Sequence, residues 1–366
     1  MDSTNTVIFL ASGGTGGHFY PAISLSQVLS QRGYSVSVIT DSRSLVYSKN
    51  VLNVQFHSVK SSTITKKSIS KLFSSVIKII VGFIQSVYLI RKYRPHIVIG
   101  FGGYPSFPVV AAAVVMRIPI ILHEQNAILG RANRSFAKRA ELIAATFPLV
   151  NENDLTKPVI VTGNPVREPF KLLARRPYTS SENGSSFRIV ITGGSQGANI
   201  FSQILPFVIV SLPPRYKSRI RITQQCRSED LTMVTKIYAD AGVVAETMVF
   251  INDLANKLDL AHLAICRAGA STVSELAVSG VPSILVPYPN STDDHQLINA
   301  HFISKAEAGW LITQQEFTVE RVSKLLMELM DNSELLTVAA ARARNLGVPN
   351  AAEHLADLVE LVGARP

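Results

Sequence analysis

Short apolar runs alternate with helical patterns along the first half of the chain. Seven such runs predict β-strands, at residues 7–11, 36–40, 54–59, 97–99, 120–122, 142–145 and 159–161. A helical pattern over 22–31 follows the first run and is closed by Gly33. Strands that alternate with helices predict an α/β fold with a parallel sheet covered on both faces. Ligands of such sheets bind beyond the carboxyl ends of the strands.

The same alternation returns in the second half. Strands are predicted at 187–192, 220–223, 249–251, 263–266 and 283–286, with a helix over 273–279. Between the halves, Gly163-Asn164-Pro165-Val166-Arg167 contains a helix-breaking proline and predicts a hinge. A chain of 366 residues also exceeds one ordinary core. We therefore predict two α/β domains facing across a cleft: 1–164, joined by a C-terminal helix at about 346–366, and 165–345.

A glycine-rich turn follows the first predicted strand. The stretch Gly13-Gly14-Thr15-Gly16-Gly17-His18 leads to a helix predicted to begin at Pro21. Glycines let the backbone approach a ligand closely, and a helix N-terminus offers N–H groups to anions. The pattern predicts a phosphate or diphosphate site, with His18 placed as a base facing a bound sugar. The alternative is a tight turn with a capping histidine.

Two further glycine turns follow strands. Gly193-Gly194-Ser195-Gln196-Gly197-Ala198 repeats the strand–turn–helix layout of the first turn and predicts a second diphosphate cradle, the alternative being ordinary helix entry. Gly100-Phe101-Gly102-Gly103-Tyr104 follows the strand at 97–99. We expect His18, Gly102 and Asn126 to lie along one edge of the first sheet, because each follows a strand.

Polar residues follow other strands as well. His123-Glu124-Gln125-Asn126 places four polar side chains after a buried strand, which favours a substrate site over a structural network. Arg167 suits a phosphate, or is an exposed hinge cation. Glu275 suits ribose hydroxyls, or is a favourable charge near a helix N-terminus. In Asp293-Asp294-His295-Gln296, amide and carboxylate groups suit sugar hydroxyls, and a metal is not expected.

The net charge of +10 is compatible with nucleic acid, an anionic membrane surface or an anionic substrate. Between residues 60 and 94, lysines and arginines alternate with apolar residues at helical spacing. Such a helix either lies on an anionic bilayer or packs on its own domain with a solvated lysine face; the spacing slightly favours the second.

The apolar stretches 76–90 and 107–116 are shorter than the roughly 20 residues of a membrane span, which predicts a soluble or peripheral protein. Cys226 and Cys266 form no disulfide framework or zinc pattern.

Two other classes of protein compete with a sugar-nucleotide enzyme. In an NAD(P)-dependent oxidoreductase, Asp41 would bind ribose, but Phe19 stands where the third glycine of the dinucleotide fingerprint belongs. A basic nucleic-acid-binding module is disfavoured because the positive charge is concentrated in one apolar helical segment.

Five motifs in order resemble the MurG family of bacterial peptidoglycan glycosyltransferases. They are Gly13–His18, His123–Asn126, Gly163–Arg167, Gly193–Ala198 and the run from Arg267 to Glu275. The resemblance extends from about Val7 to the C-terminal helix. It implies a GT-B fold of two Rossmann-like domains. It also implies inverting transfer of N-acetylglucosamine (GlcNAc) from UDP-GlcNAc to the 4-hydroxyl of MurNAc in undecaprenyl-pyrophosphoryl-MurNAc-pentapeptide (lipid I), which gives lipid II for cell-wall synthesis.

The resemblance further implies a peripheral enzyme on the cytoplasmic face of the inner membrane, touching its anionic surface, with no metal or cofactor and no nucleic-acid partner. His18 is the expected general base and Glu124 the runner-up. The expected UDP-GlcNAc residues are Thr15, Gly16, Gly17, Asn126, Arg167, Ser195, Ile251, Ala270, Ser271, Thr272, Val273, Ser274, Glu275 and Gln296. The expected acceptor residues are Gly13, Gly14, Gly102, Gly103 and Tyr104. The stretch Gln224-Gln225-Cys226-Arg227 departs from the family pattern, which usually has His-Gln-small-Gly there.

Overall fold

The chain forms two compact units. The computed structural model describes residues 6–45, 54–63, 69–150, 152–181, 185–194 and 197–363, with only the backbone for 69–71. Unit 1 comprises residues 1–167 and 350–366, and unit 2 comprises 168–349. Each unit contains one parallel sheet, so the prediction of two α/β domains is confirmed.

Unit 1 is built on a seven-stranded parallel sheet with the order β3-β2-β1-β4-β5-β6-β7. Its strands are Val7–Ala11 (β1), Ser35–Thr40 (β2), Gln55–Ser58 (β3), Ile97–Gly100 (β4), Ile120–Glu124 (β5), Leu142–Ala145 (β6) and Val159–Val161 (β7). Its α-helices are Gly16–Gln31 (α1), Ile69–Tyr93 (α2), Ser106–Val115 (α3), Arg131–Phe136 (α4) and, from the end of the chain, Ala351–Gly363.

The continuous apolar run of β1 explains how this sheet is covered on both faces. Ile8 and Leu10 join one buried cluster with residues of α1 and of the last helix, including Leu355. Phe9 joins a second cluster with residues of α3 on the opposite face. Successive strand side chains point to opposite faces, so β1 anchors both layers of the unit.

Unit 2 has a six-stranded parallel sheet with the order β10-β9-β8-β11-β12-β13. Its strands are Phe187–Thr192 (β8), Ile220–Gln225 (β9), Val244–Met248 (β10), Leu263–Cys266 (β11), Ser283–Leu285 (β12) and Gly309–Leu311 (β13). Its helices are Glu168–Leu173 (α5), Asn199–Ser211 (α6), Pro214–Lys217 (α7), Leu231–Asp240 (α8), Leu254–Asp259 (α9), Ala270–Ser279 (α10), His295–Lys305 (α11), Val319–Asp331 (α12) and Ser333–Leu346 (α13). The last helix of the chain, in unit 1, is α14. Short 3₁₀ turns occur at Ala137–Arg139, Glu152–Asp154 and Thr292–Asp294.

Three elements differ from the sequence predictions. Helix α1 begins at Gly16 rather than Pro21, because both glycines of the turn's second half adopt helical geometry and Pro21 lies inside the helix. The strand predicted at 249–251 is wrong: the edge strand is β10, whose side chains are mostly half-buried or exposed and give a weak apolar signal. The short strand β13 was not predicted.

Helix α2 corrects the prediction that its apolar stretch is too short for a membrane span. By length and composition alone, Leu72–Tyr93 would suffice to cross a membrane, with mean hydropathy 1.8. The helix is longer than the apolar run because Lys78 and Gln85 interrupt the hydrophobicity without interrupting the helix. Whether α2 packs on its own domain or contacts a membrane therefore depends on which residues each side of the helix carries.

Candidate active site

The first glycine turn lies at the carboxyl end of β1, between that strand and α1. Gly13 and Gly14 have φ angles of 146° and 90°, which side chains with a Cβ rarely adopt. Thr15 is the N-cap residue of α1, and His18 lies in its first turn. The turn thus presents the N-terminal end of a 16-residue helix, where N–H groups and the helix dipole favour an anion.

The turn after β4 lies directly against the first turn. A Cβ on Gly103 would stand 2.8 Å from the Gly13 carbonyl oxygen and 3.1 Å from Cδ2 of His18. A Cβ on Gly14 would contact the ring of Tyr104 at 3.0 Å. The absent side chains therefore allow Gly13, Gly14, Gly103, Tyr104 and His18 to share one corner of the sheet edge.

A hydrogen-bonded group around Asp41, called here the acidic latch, holds this corner. The sequence pattern predicted a role for Asp41 only in an oxidoreductase. Asp41, which follows β2, accepts hydrogen bonds from the hydroxyls of Ser44 (2.5 Å) and Tyr104 (2.7 Å). Ser44 Oγ in turn accepts from the Gly14 N–H at 2.9 Å. Burial would raise the pKa of Asp41, but these hydrogen bonds outweigh it and lower that pKa, while burial and Asp41 raise the pKa of Tyr104 to about 12. The latch ties the glycine turn to Tyr104 through an ionised carboxylate.

His18 is connected to β5 by side chains. Its Nδ1 lies 2.7 Å from Oε1 of Gln125, and Nε2 of Gln125 lies 2.9 Å from Nδ1 of His123. His123 and Gln125 are buried, whereas His18 is half-buried. Their strands, β1 and β5, both border β4, so the carboxyl edge brings the predicted residues of three strands together.

Glu124 is the last residue of β5, and its carboxylate holds the loop that follows. Its Oε1 accepts from the backbone N–H of Asn126 (3.1 Å) and from the Asn126 side-chain amide (3.2 Å). Its Oε2 accepts from the Gly130 N–H and the Asn133 amide, both at 2.9 Å. A carboxylate has about four acceptor positions, and four donors are already supplied here. This geometry favours a positioning role for Glu124 over a proton-accepting one.

Gly102 belongs to the same arrangement. A Cβ at this position would lie 3.2 Å from Nδ2 of Asn133, the residue that donates to Glu124. Asn126 is half-buried at the mouth of the loop. The loop after β5 and the turn after β4 therefore support each other.

The segment after β7 carries buried polar atoms. Both side-chain polar atoms of Asn164, and Oγ1 of Thr146, are buried with no hydrogen-bond partner among the described residues. Buried polar groups are normally satisfied, so such atoms indicate a site for water or a ligand group. Arg167, at the end of unit 1, places its guanidinium 4.7 Å from the ring centroid of Tyr20 in α1.

In unit 2, hydrogen bonds from Gln225 at the end of β9 hold the turn after β8. Thr192 Oγ1 donates to Oε1 of Gln225 (2.8 Å), and Nε2 of Gln225 donates to the Gly194 carbonyl (2.9 Å). Only glycine fits at position 193, because the backbone of Ala198 lies so close that a Cβ would stand 2.2 Å from its nitrogen. Ser195, predicted to bind the donor, lies outside the described residues. Gln225 lies in the stretch that departs from the family pattern, and its role in positioning this turn was not predicted from the sequence.

The helix α10 begins directly after β11. Gly269 is its N-cap residue, and Ala270, Val273, Ser274 and Glu275 are buried in its first two turns, with Ser271 and Thr272 half-buried. Arg267 lies just before the helix and donates to the carbonyls of Val286 (3.0 Å) and Pro287 (3.1 Å). Burial lowers the pKa of this arginine. The sequence pattern predicted no separate role for Arg267, whereas in the structure it joins the ends of β11 and β12.

Gln296 and Ile251 lie in two other loops of unit 2. Gln296 is in the first turn of α11, and its Oε1 accepts from the Tyr288 N–H at 2.9 Å. Asp293 and Asp294 precede that helix with positive φ angles of 53° each. Ile251 is buried in the loop after β10. Among the described residues, no three His, Cys, Asp or Glu side chains come together to hold a metal ion.

Two family models match the chain. Residues 8–145 match the glycosyltransferase family 28 N-terminal domain, and residues 188–356 match the glycosyltransferase family 28 C-terminal domain. Together these ranges cover most of both units.

Curated relatives match over nearly the whole chain. A protein of Rhodospirillum centenum is 44% identical over 354 residues, which span 96% of this chain and 93% of that protein. One of Sinorhizobium fredii is 42% identical over 358 residues, spanning 98% and 96%. Both are named UDP-N-acetylglucosamine--N-acetylmuramyl-(pentapeptide) pyrophosphoryl-undecaprenol N-acetylglucosamine transferase.

Solved structures show the same fold. The crystal structure of Acinetobacter baumannii MurG has a TM-score of 0.77 and 30% sequence identity, covering 97% of this chain and 99% of that one. The calicheamicin glycosyltransferase CalG4 has a TM-score of 0.67 at 13% identity, covering 98% of both chains, and shows likeness of fold alone.

Proposed function

Because the chain belongs to glycosyltransferase family 28, we propose that it transfers GlcNAc from UDP-GlcNAc to the 4-hydroxyl of MurNAc in lipid I, forming lipid II. The observation that carries this function is the near-complete match to relatives named for that reaction, at 41–44% identity. Two units that each place glycine turns at the carboxyl edge of a parallel sheet agree with it. An oxidoreductase or a nucleic-acid-binding module is not favoured.

We assign the nucleotide to unit 2. The turn at Gly193–Ala198 and the N-terminus of α10 offer backbone N–H groups to the diphosphate, with Ser195 as a further donor. Arg167, the last residue of unit 1 before unit 2 begins, is assigned to the same diphosphate. Glu275 is assigned to the ribose hydroxyls, the backbone of Ile251 to uracil and Gln296 to the hydroxyls of GlcNAc. These donors stabilise the negative charge that develops on the departing UDP.

We assign the acceptor to unit 1. The turns at Gly13–Gly17 and at Gly102–Tyr104 share one corner, which suits the diphosphate and first sugar of the lipid, and Asn126 borders it. His18 lies in that corner and is the proposed base. It takes the proton from the MurNAc 4-hydroxyl as that oxygen bonds to the anomeric carbon of GlcNAc, while the bond from that carbon to UDP breaks. Attack from the face opposite UDP inverts the anomeric centre.

A transfer assay tests this function. Radiolabelled UDP-GlcNAc and a lipid I analogue should give a labelled lipid II analogue and UDP in equal amounts, and NADH or NADPH oxidation should be absent. Because the proposed leaving-group stabilisation uses protein donors, we expect full activity in excess EDTA. Loss of activity in EDTA that Mg²⁺ restores would contradict this part of the proposal, and absence of transfer with a well-folded protein would contradict the function itself.

We propose that α2 rests on the membrane surface. Phe73, Ile80, Ile84 and Tyr88 recur on one side of the helix, and each is exposed, Phe73 by 69% and Tyr88 by 63%. We call these four residues the α2 stripe.

The other side of α2 packs on its own domain through small residues. Gly82 lies so close to the Lys60 carbonyl that a Cβ would reach within 1.8 Å of it, and Ser75 and Ser86 are buried on the same side. Soluble proteins usually turn their apolar side inward, and an exposed apolar stripe indicates a contact surface. A helix fixed along one side, with an apolar opposite side and Lys78 nearby, suits peripheral binding to an anionic bilayer that holds the lipid acceptor.

Vesicle co-sedimentation tests the α2 stripe. We expect the triple variant Phe73→Ser, Ile80→Ser, Ile84→Ser to partition at least about tenfold less into phosphatidylglycerol-containing vesicles, because it removes most of the apolar contact. A matched control is Phe207→Ser with Leu335→Ser, which removes exposed apolar side chains of unit 2. Equal binding by the stripe variant and the control would rule out this surface.

Removing charge tests the electrostatic part of the same contact. Substitution of Lys66, Lys67, Lys71 and Lys78 should weaken binding to anionic vesicles and leave weak binding to neutral vesicles unchanged. Lys66 and Lys67 lie outside the described residues, and only the backbone of Lys71 is described. Unchanged binding to anionic vesicles would contradict an electrostatic contribution from this segment.

A further inference from the structure

A chain of three hydrogen bonds connects His18 to the backbone after β7. His18 Nδ1 contacts Oε1 of Gln125 at 2.7 Å, and Gln125 Nε2 contacts Nδ1 of His123 at 2.9 Å. His123 Nε2 then contacts the Gly163 carbonyl oxygen at 3.2 Å. His123 and Gln125 are both almost fully buried, so bulk water does not reach the Gln125–His123 and His123–Gly163 bonds. The direction of each bond follows from the atoms at the end of the chain.

The Gly163 carbonyl oxygen determines which ring nitrogen of His123 carries the hydrogen. A carbonyl oxygen only accepts, so Nε2 of His123 must carry the hydrogen. Burial lowers the pKa of His123 to about 4, and the ring is therefore neutral near pH 7. In a neutral imidazole with a proton on Nε2, Nδ1 is an acceptor. His123 can therefore receive a hydrogen bond from Gln125 and cannot donate one to it.

The orientation of the Gln125 amide is fixed twice. Its Nε2 faces the accepting Nδ1 of His123 and also the His123 carbonyl oxygen, at 3.2 Å. Both neighbours require a donor, so the amide nitrogen belongs on that side and the amide oxygen faces His18. The amide oxygen only accepts, and Nδ1 of His18 must therefore carry a hydrogen.

We infer that Gln125, oriented by His123 and the Gly163 carbonyl, fixes the tautomer of His18 so that its lone pair lies on Nε2. This inference rests on the proposed function, in which that lone pair takes the proton of the acceptor hydroxyl. Free histidine favours the opposite tautomer, with the hydrogen on Nε2, which leaves no lone pair on that nitrogen. Gln125 and His123 are positioning residues, because they act on the reaction through His18.

Nitrogen-15 NMR of the full-length protein tests the inference directly. Long-range ¹H–¹⁵N correlations of histidine-labelled protein at about pH 8, where a typical imidazole is neutral, distinguish the two tautomers. The His18 signals are identified by their loss in His18→Ala. We expect a protonated Nδ1 in the wild type. A wild-type His18 with its hydrogen on Nε2 would overturn the inference without any further variant.

Two substitutions separate tautomer control from packing. Gln125→Leu keeps the approximate size without an acceptor, and should move the His18 hydrogen to Nε2 and lower kcat about 10- to 100-fold, with KM for UDP-GlcNAc nearly unchanged. Gln125→Glu keeps an acceptor and should retain the Nδ1 hydrogen and more activity than the leucine variant. The control Gln85→Leu removes a glutamine that accepts from the Lys60 N–H, and should change neither readout.

The outcomes distinguish this inference from the function on which it rests. A tautomer that changes in Gln125→Leu, in a protein that transfers no GlcNAc, would support the hydrogen-bond chain and contradict the proposed function. Normal transfer with a His18 tautomer that is the same in wild type and Gln125→Leu would contradict the hydrogen-bond chain and leave the function standing.

Discussion

Replacing His18 with alanine is expected to lower kcat roughly 100- to 10,000-fold, the range that a general base contributes. KM for UDP-GlcNAc should stay within about twofold, because His18 is not among the groups assigned to the nucleotide and a loss confined to the transition state lowers kcat alone. Steady-state kinetics with a saturating lipid I analogue separate the two constants. His18 lies in a corner made by two glycine turns, and the absence of a side chain at Gly103 lets the second turn pack against its ring.

The matched control for this substitution is His354→Ala. His354 is an exposed histidine of α14 in the same unit and is assigned no contact with substrate. Its variant should keep wild-type kcat and KM. If His18→Ala turned over at the wild-type rate, the base would have to be another group. If KM for UDP-GlcNAc rose while kcat held, His18 would be a donor-binding residue instead.

Replacing Glu124 with alanine is expected to lower the free energy of unfolding of unit 1 by about 3 kcal/mol or more. The carboxylate is only 2% exposed and satisfies two backbone N–H groups and two side-chain amides. Without it, four donors in a buried loop lose their acceptor. Glu124→Gln keeps one carbonyl oxygen, so it should cost less stability and retain far more activity than His18→Ala.

The single tryptophan of the chain gives this experiment an internal reference. Trp310 lies in β13 of unit 2, so its fluorescence follows unit 2, while hydrogen exchange of β5 amides follows unit 1. Glu124→Ala should shift only the second readout in urea. Glu141→Ala, which removes a half-buried carboxylate of unit 1, is the control. A folded Glu124→Gln variant as inactive as His18→Ala would transfer the role of base to Glu124.

Most strands of the two sheets were predictable from the sequence because each contains an apolar run bounded by glycine or polar residues. Strands β1, β6, β7, β8 and β11 match their predicted bounds, and the predicted edge residues follow adjacent strands. The start of α1 was not predictable by the same logic. Glycine has a low helix propensity, yet the helix begins at Gly16, and Phe19 in its first turn is fully buried in the core.

The internal organisation of the site depends on pairs of residues that are far apart in sequence. His18 and Gln125 are separated by 107 positions, and Gln125 reaches His18 only because β4 separates β1 from β5 by one strand. The sequence favoured a substrate site at His123–Asn126, whereas three of those four side chains are buried and bond within the unit. Gln225 and Arg267 likewise bond to residues that are distant in sequence, because their partners lie on or just after neighbouring strands.

Helix α14 has a consequence for the order in which the protein folds during synthesis. Leu355, Ala356 and Val359 are fully buried against α1 in the core of unit 1, although nearly the whole of unit 2 separates them from the rest of that core. The ribosome therefore releases a complete unit 2 before it releases the last helix of unit 1. The nascent first domain has to wait with an uncovered apolar surface along α1, which makes it a candidate for chaperone binding.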